Sequence, residues 1–291
     1  MGKEPRTYST SRSLILAVGC LAACATPRPP ATPAPTSVEP VPATMPSVST
    51  SWNFNFAPGA VAYRVSRSAT ITGDTDPQAR RETSTNSTYE SLTLQPAGDT
   101  IAFTAVVDTF ATTTQGAIGS AQPIQLPVQL SGTQIGDSIA VSDDSVAETC
   151  NPATSALITD LHNLLPHFPA LLTISMTWKD STQSLGCQGS IPTRSRVLHS
   201  FRVLGENMYE GTRAVTVQRN DTVQAEGEGA QQRHPLTLIA NGTGSAVYHL
   251  DAATGRIMHL SVDQDLSLSI TASGKTSRFQ QTTKQEFVLV R

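Results

Sequence analysis

The chain has 291 residues, 20 of them basic and 23 acidic, with a formal net charge of −3. Charged residues make up 15% and aromatic residues 5%. No basic run or basic–aromatic interleaving occurs, so a nucleic-acid partner is not expected.

The N-terminal segment divides by charge and hydropathy. Lys3, Arg6 and Arg12 make a basic start, with Glu4 its single acidic residue, and Ser13 to Ala23 is an apolar stretch of 11 residues. That length suits the core of an export signal and falls short of the roughly 20 residues that cross a bilayer as a helix. The stretch ends in Leu21-Ala22-Ala23-Cys24. This sequence resembles the motif of bacterial lipoprotein signals: a leucine, two small residues, then the cysteine that is lipidated and becomes the mature N-terminus. The resemblance implies a signal peptide over 1–23 and a membrane anchor of palmitate-type acyl chains on Cys24. Several acyl chains together hold a protein stably where one alone binds marginally. Cys20, after Ala17-Val18-Gly19, is a second candidate, but it lacks the leading leucine and leaves a core of only seven residues. Ala25 follows Cys24 where an aspartate would signal retention at the inner membrane. By the same resemblance the protein is expected at the outer membrane, facing the periplasm. Without Lys3, Arg6, Arg12 and Glu4 the mature chain carries 17 basic and 22 acidic residues, a net of −5.

Residues 24–50 continue as a Pro/Thr/Ala-rich tract, which buries no core and favours extended polyproline II backbone. It reads as a disordered tether. A single β-rich domain is expected over 51–291.

Strand signals dominate that domain. Val61, Tyr63 and Val65 alternate with polar residues and Ile71 continues the segment. Tyr89 to Leu94 alternates again, Pro96-Ala97-Gly98-Asp99 turns, and Ile101, Phe103, Ala105 and Val107 return on one face. Leu126, Val128 and Leu130 form another set, placed at a sheet edge by Pro123 and Pro127. One helix interrupts the strands. Asn151 caps it, Pro152 suits its first turn, and Ala153, Leu157, Leu161, Leu164 and Leu165 recur at helical spacing until Pro166 and Pro169. Leu171 to Asp180 follows, with Trp178 near its end.

A β-meander is expected after that. Val197–Leu204 and Arg213–Arg219 read as strands around a turn at Gly205-Glu206-Asn207. The clearest hairpin runs through Tyr248 and Leu250, turns at Asp251–Gly255, and returns through Met258 and Leu260. Pairing 250 with 256 sets Tyr248 opposite Met258 and His249 opposite Ile257, with His259 diagonal to His249. Leu266, Leu268 and Ile270 supply a next strand, and Phe279 to Val290 the last.

Cys150 and Cys187 are the cysteines left in this domain. In an oxidising compartment a disulfide closing a 38-residue loop is the natural reading, worth roughly 4 kcal/mol. Two free thiols in a metal site or redox pair are the alternative, without a C-x-x-C spacing to support it.

The Tyr248-x-Leu250-Asp251-x-x-x-Gly255 hairpin, the preceding helix, the Trp178-x-Asp180 segment and the late meander resemble uncharacterised envelope lipoproteins of LolA-like fold. The resemblance implies a curved antiparallel meander, a half-barrel, packed on one or two helices. It also implies a concave face that carries lipid or apolar cargo, or that serves as an interaction module for an envelope protein.

Catalytic motifs are missing. There is no H-E-x-x-H, G-x-S-x-G or Ser-x-x-Lys, and Gly274-Lys275-Thr276 has Ser269 where the first P-loop glycine belongs. His249 and His259 share a strand face without a third metal ligand, and His162 and His167 are split by Pro166. Asp74/Asp76 and Asp263/Asp265 do not continue into calcium loops. No cofactor, metal or catalytic residue is therefore assigned, and a non-enzymatic module is expected. Its candidate ligand-binding side chains are Tyr248, Leu250, Met258 and Leu260, with Trp178 either lining a cavity or filling core. The alternatives are a structural module with a filled core and an enzyme assembled from distant side chains such as His249, His259 and Asp263. A cavity of at least about 300 Å³ favours the carrier, and a polar cleft gathering histidine and aspartate favours the enzyme.

Overall fold

The computed structural model describes residues 51–73, 81–115, 124, 126–142, 150–188, 191–231 and 234–290. Cys20, Cys24, the tether over 24–50, the Asp74/Asp76 pair and Pro123 lie outside them.

The domain is mainly β with one helix. A short strand β1 (Ser51–Asn53) pairs with β7 (Leu171–Thr173). All other strands join one antiparallel sheet. From one edge its order is β6 (Ser138–Val141), β5 (Val128–Ile135), β4 (Thr100–Gln115), β3 (Arg81–Ala97) and β2 (Gly59–Gly73). It continues through β13 (Lys275–Leu289), β12 (Ile257–Ala272), β11 (His234–Asp251), β10 (Thr212–Gln231), β9 (Ile191–Tyr209) and β8 (Thr177–Gln188). Two meanders are thus joined where β2, early in the chain, pairs with β13, the last strand.

Among the described residues this curved, nearly closed sheet has eleven strands, so it cannot close as an all-antiparallel ring. Its edge strands β6 and β8 run in the same direction. Antiparallel closure needs an even number. The chain crosses from β6 to β8 through α1 (Pro152–Leu164), and this crossing covers the β8 edge. Ser155 Oγ accepts from Cys187 N at 3.2 Å, a disulfide joins Cys150 to Cys187, and Trp178 Nε1 donates to His167 O at 3.3 Å. On the other side Gln134 Nε2 of β5 donates to Leu165 O at 2.7 Å. A covered edge no longer offers its backbone groups to another chain.

The helix starts where its cap chemistry puts it. Asn151 Oδ1 accepts from Ala153 N and Thr154 N, and Pro152 occupies the first turn. Its buried face includes Leu157, Leu161 and Leu164, which meet Val65, Phe103, Val217, Tyr248, Leu260 and Phe287 from the inner sheet face. Beyond this core, β9–β12 extend into a second apolar cluster of Ile191, Val223, Leu236, Leu238, Ala240, Leu266 and Leu268.

Two bulges correct the expected registers. In the β11–β12 hairpin Leu250 pairs with Ile257, and then His249 pairs with His259 and Tyr248 with Leu260. Met258 is the extra residue. The turn fixes one side of this arrangement: Asp251 N bonds Arg256 O at 2.8 Å, and Asp251 Oδ1 accepts from Ala253 N and Thr254 N. The turn thus sets Leu250 one residue further along than the expected Arg256, and the inserted residue shifts all later partners by one more. Gly205 (φ 127°) likewise marks a bulge inside β9, not the turn expected there. The real turn is Glu210-Gly211, with φ 46° and 79°. Leu266–Ile270 also belongs to β12 itself, which runs on to Ala272 before turning at Ser273-Gly274. Finally, β5 is not an edge strand over its whole length: β6 covers it from Gly132 onward, and only its first half has β4 alone.

Candidate functional site

The apolar side chains proposed from sequence to bind a ligand are part of the packed interior. Tyr248, Leu250 and Leu260 are at most 1% exposed and Met258 is buried. Trp178 is half-buried, stacked on Phe201 at 4.7 Å and edge-on to Phe168 at 5.7 Å. His249 and His259 lie directly opposite each other on the outer face, correcting the diagonal placement. Tyr209 stacks on both, at 4.4 and 5.3 Å. His259 Nε2 is 3.0 Å from Glu286 Oε1, and Asp263 pairs with Lys284 at 3.8 Å on that outer surface. These three residues of the alternative enzyme reading therefore do not meet in a cleft with an inward-facing partner.

Beside this packed interior, a cleft of about 200 Å³ lies between α1 and the inner face of β8–β10, β12 and β13. Ser155, Ile158, Thr159, His162 and Asn163 form its helical wall. The sheet wall is apolar at Val197, Val223 and Leu266 and polar at Thr182, Ser195, His199, Arg219 and Asp221. Register explains how the polar groups gather. Asp180, His199, Asp221 and Gly244 are successive cross-strand partners on β8, β9, β10 and β11. A Cβ at Gly244 would lie 3.1 Å from Asp263 O of the neighbouring strand, so glycine fits the close backbone approach there, beside Asp221.

A continuous hydrogen-bond network joins these groups. Thr182 Oγ1 is 3.1 Å from His199 Nε2, and His199 Nδ1 is 2.7 Å from Asp221 Oδ1. Arg219 Nε donates to Asp221, its Nη2 to Asn163 Oδ1 at 2.9 Å and its Nη1 to Tyr248 OH. Tyr248 OH in turn donates to Asn163 O at 3.2 Å. Burial pushes Asp221 upward, but the bond from His199 and the charge of Arg219 outweigh it and hold the carboxyl below its ordinary range. Burial raises the Tyr248 hydroxyl to about 12 against the pull of Arg219. Burial, then His199 and Arg219, depress His162 to about 4, so its ring is neutral near pH 7. Its Nδ1 is buried without a hydrogen-bond partner among the described residues.

A second buried polar group ties α1 to the sheet on the β2–β3 side. Arg67 pairs with Asp160 of the helix and with Glu90 at 3.2 Å, while Thr88 Oγ1 donates to Glu90 at 3.0 Å. Burial pushes Glu90 up against the opposing effect of Arg67. Asp160 sits at a helix position packed on the core, where its partner makes its burial tolerable.

Sequence motifs do not find the His199 network because its members come from five different elements, α1 and β8 to β11. One signal was present. Val215, Val217, Arg219, Asp221 and Val223 occupy alternate positions of one strand, so an Arg–Asp pair interrupts an otherwise inward apolar row. No family model matches the chain, and no curated relative does. Among solved structures, an outer membrane channel of Pseudomonas putida F1 superposes with a TM-score of 0.23 and 8% identity, covering 82% of this chain and 98% of the channel. A likeness at that score carries no argument about fold or function.

Proposed function

We propose that this protein is an envelope lipoprotein, tethered to a membrane through lipid on Cys24, whose cleft between α1 and the sheet binds a small ligand. The observation that carries the binding reading is the distribution of space. The apolar face is filled by α1, and the cleft left beside it has a polar floor and an apolar flank. At about 200 Å³ it is smaller than the roughly 300–1,000 Å³ of drug-sized sites. It therefore suits a compact, partly polar molecule, which departs from the lipid or apolar cargo, or protein partner, expected from sequence.

The address rests on the Leu21-Ala22-Ala23-Cys24 motif and the Pro-rich tract behind it. The outer sheet surface is mixed: Arg64, Arg202, Asp263, Lys284 and Glu286 are exposed there together with Leu198, Met208 and Ile239.

Native mass spectrometry of the purified protein tests the binding reading. A small co-purifying molecule is expected on the wild type and absent from Ser195→Phe, which places a ring in the cleft. Recovery of nothing from wild type, or of the same molecule from both, would defeat it.

A further inference from the structure

We propose that Thr182 is a nucleophile, activated by His199 and Asp221, for acyl transfer from a small ester bound in the cleft. The proposal rests on the cleft being a ligand site and assigns it a reaction. The three residues stand on adjacent strands β8, β9 and β10, and all three line the same space.

Their contacts fix the direction of proton transfer. Asp221 is ionised and bound by Arg219 Nε at 3.0 Å, so it only accepts hydrogen bonds. The short contact to His199 Nδ1 therefore places a proton on that nitrogen. In the neutral ring this leaves a lone pair on Nε2, which faces Thr182 Oγ1 at 3.1 Å. A hydroxyl held on a base whose other nitrogen is oriented by a carboxylate is the arrangement that activates a nucleophile.

The step balances with water as the single co-reactant. Thr182 Oγ bonds to the ester carbonyl carbon as its proton passes to His199 Nε2. The bond from that carbon to the alcohol oxygen breaks, and the alcohol leaves with the proton. Water then adds to the acyl-threonine, gives a proton to His199, and the acid departs as Thr182 regains its hydrogen. His162, on the helical wall, carries a buried ring nitrogen with no hydrogen-bond partner among the described residues. The apolar flank of Val197, Val223 and Leu266 suits a short acyl group.

Diisopropyl fluorophosphate, a small electrophile that traps activated hydroxyls, tests this on the full-length protein with peptide mass mapping. An adduct on the hydroxyl at position 182 is expected in wild type and in Thr182→Ser. It should vanish in Thr182→Val, which keeps the side-chain shape, and form about 100-fold or more slowly in His199→Gln. A merely structural network would not move this readout, and circular dichroism confirms that each variant is folded. No adduct on Thr182 in wild type, or an equal rate in His199→Gln, overturns the proposal. A wild type that retains a small molecule lost in Ser195→Phe, yet never labels, keeps the binding site and discards the chemistry. Should Thr182→Val not fold, the comparison of wild type, Thr182→Ser and His199→Gln still decides.

Discussion

Arg219 is almost wholly buried, yet each of its donor groups has a partner: Asp221 on Nε, Tyr248 on Nη1 and Asn163 on Nη2. That satisfaction is what allows a charge inside the sheet, since an unpaired one costs several kcal/mol. His162 is the residue whose environment fits its charged form worst. Its folded pKa of about 4 lies below the ordinary 6.5. Between those values the unfolded chain binds a proton that the folded chain does not. The resulting stability is complete above pH 6.5 and is lost progressively as pH falls toward 4, by at most about 3 kcal/mol. Glu90, whose pKa is raised, acts in the opposite sense, so the comparison has to be differential. His162→Gln is expected to flatten the fall in unfolding free energy between pH 6.5 and 4 relative to wild type, measured by urea titration. Parallel pH profiles would refute the assignment.

At the scale of elements, α1 was legible in the sequence almost to the residue. Its signals are local: an asparagine cap, a proline in the first turn, leucines at helical spacing and prolines beyond its end. The β3–β4 hairpin was legible for the same reason. The two bulges were not, because Gly205 reads equally as a turn or a bulge until the partner strand is known. What anchors α1 differs between its ends. Polar contacts from Asn163 and Leu165 hold the C-terminal end, whereas the disulfide and the Ser155–Cys187 contact hold the N-terminal end along β8. Replacing both Cys150 and Cys187 with serine should destabilise the domain by roughly 4 kcal/mol. Hydrogen exchange should rise most in the first turn of α1 and in β8. Unchanged stability in chemical denaturation would show that the unfolded chain is not restrained by this link.

The whole molecule depends on a parity that no single segment states. The eleven described strands leave edges of the same direction, which an all-antiparallel ring cannot join, and the helical crossing covers one of them. The proposed anchor makes a prediction at this scale. Cys24→Ser should release the protein from membranes in fractionation, with the thermal unfolding of the β domain unchanged. A variant that stays in the membrane fraction would defeat the lipid-anchor reading.

The sequence by itself determined the β-rich class, the helix and its limits, and the alternation that turns Tyr248, Leu260 and Phe103 inward, because these follow from backbone propensity and side-chain period. It also carries the Leu21-Ala22-Ala23-Cys24 string on which the proposed anchor rests, a feature that is linear by nature. Only tertiary structure decided that the apolar face is filled and that His199, Asp221, Arg219 and Thr182 meet beside α1. Their meeting depends on registers between strands, and in a β-sheet one inserted residue reassigns every partner beyond it.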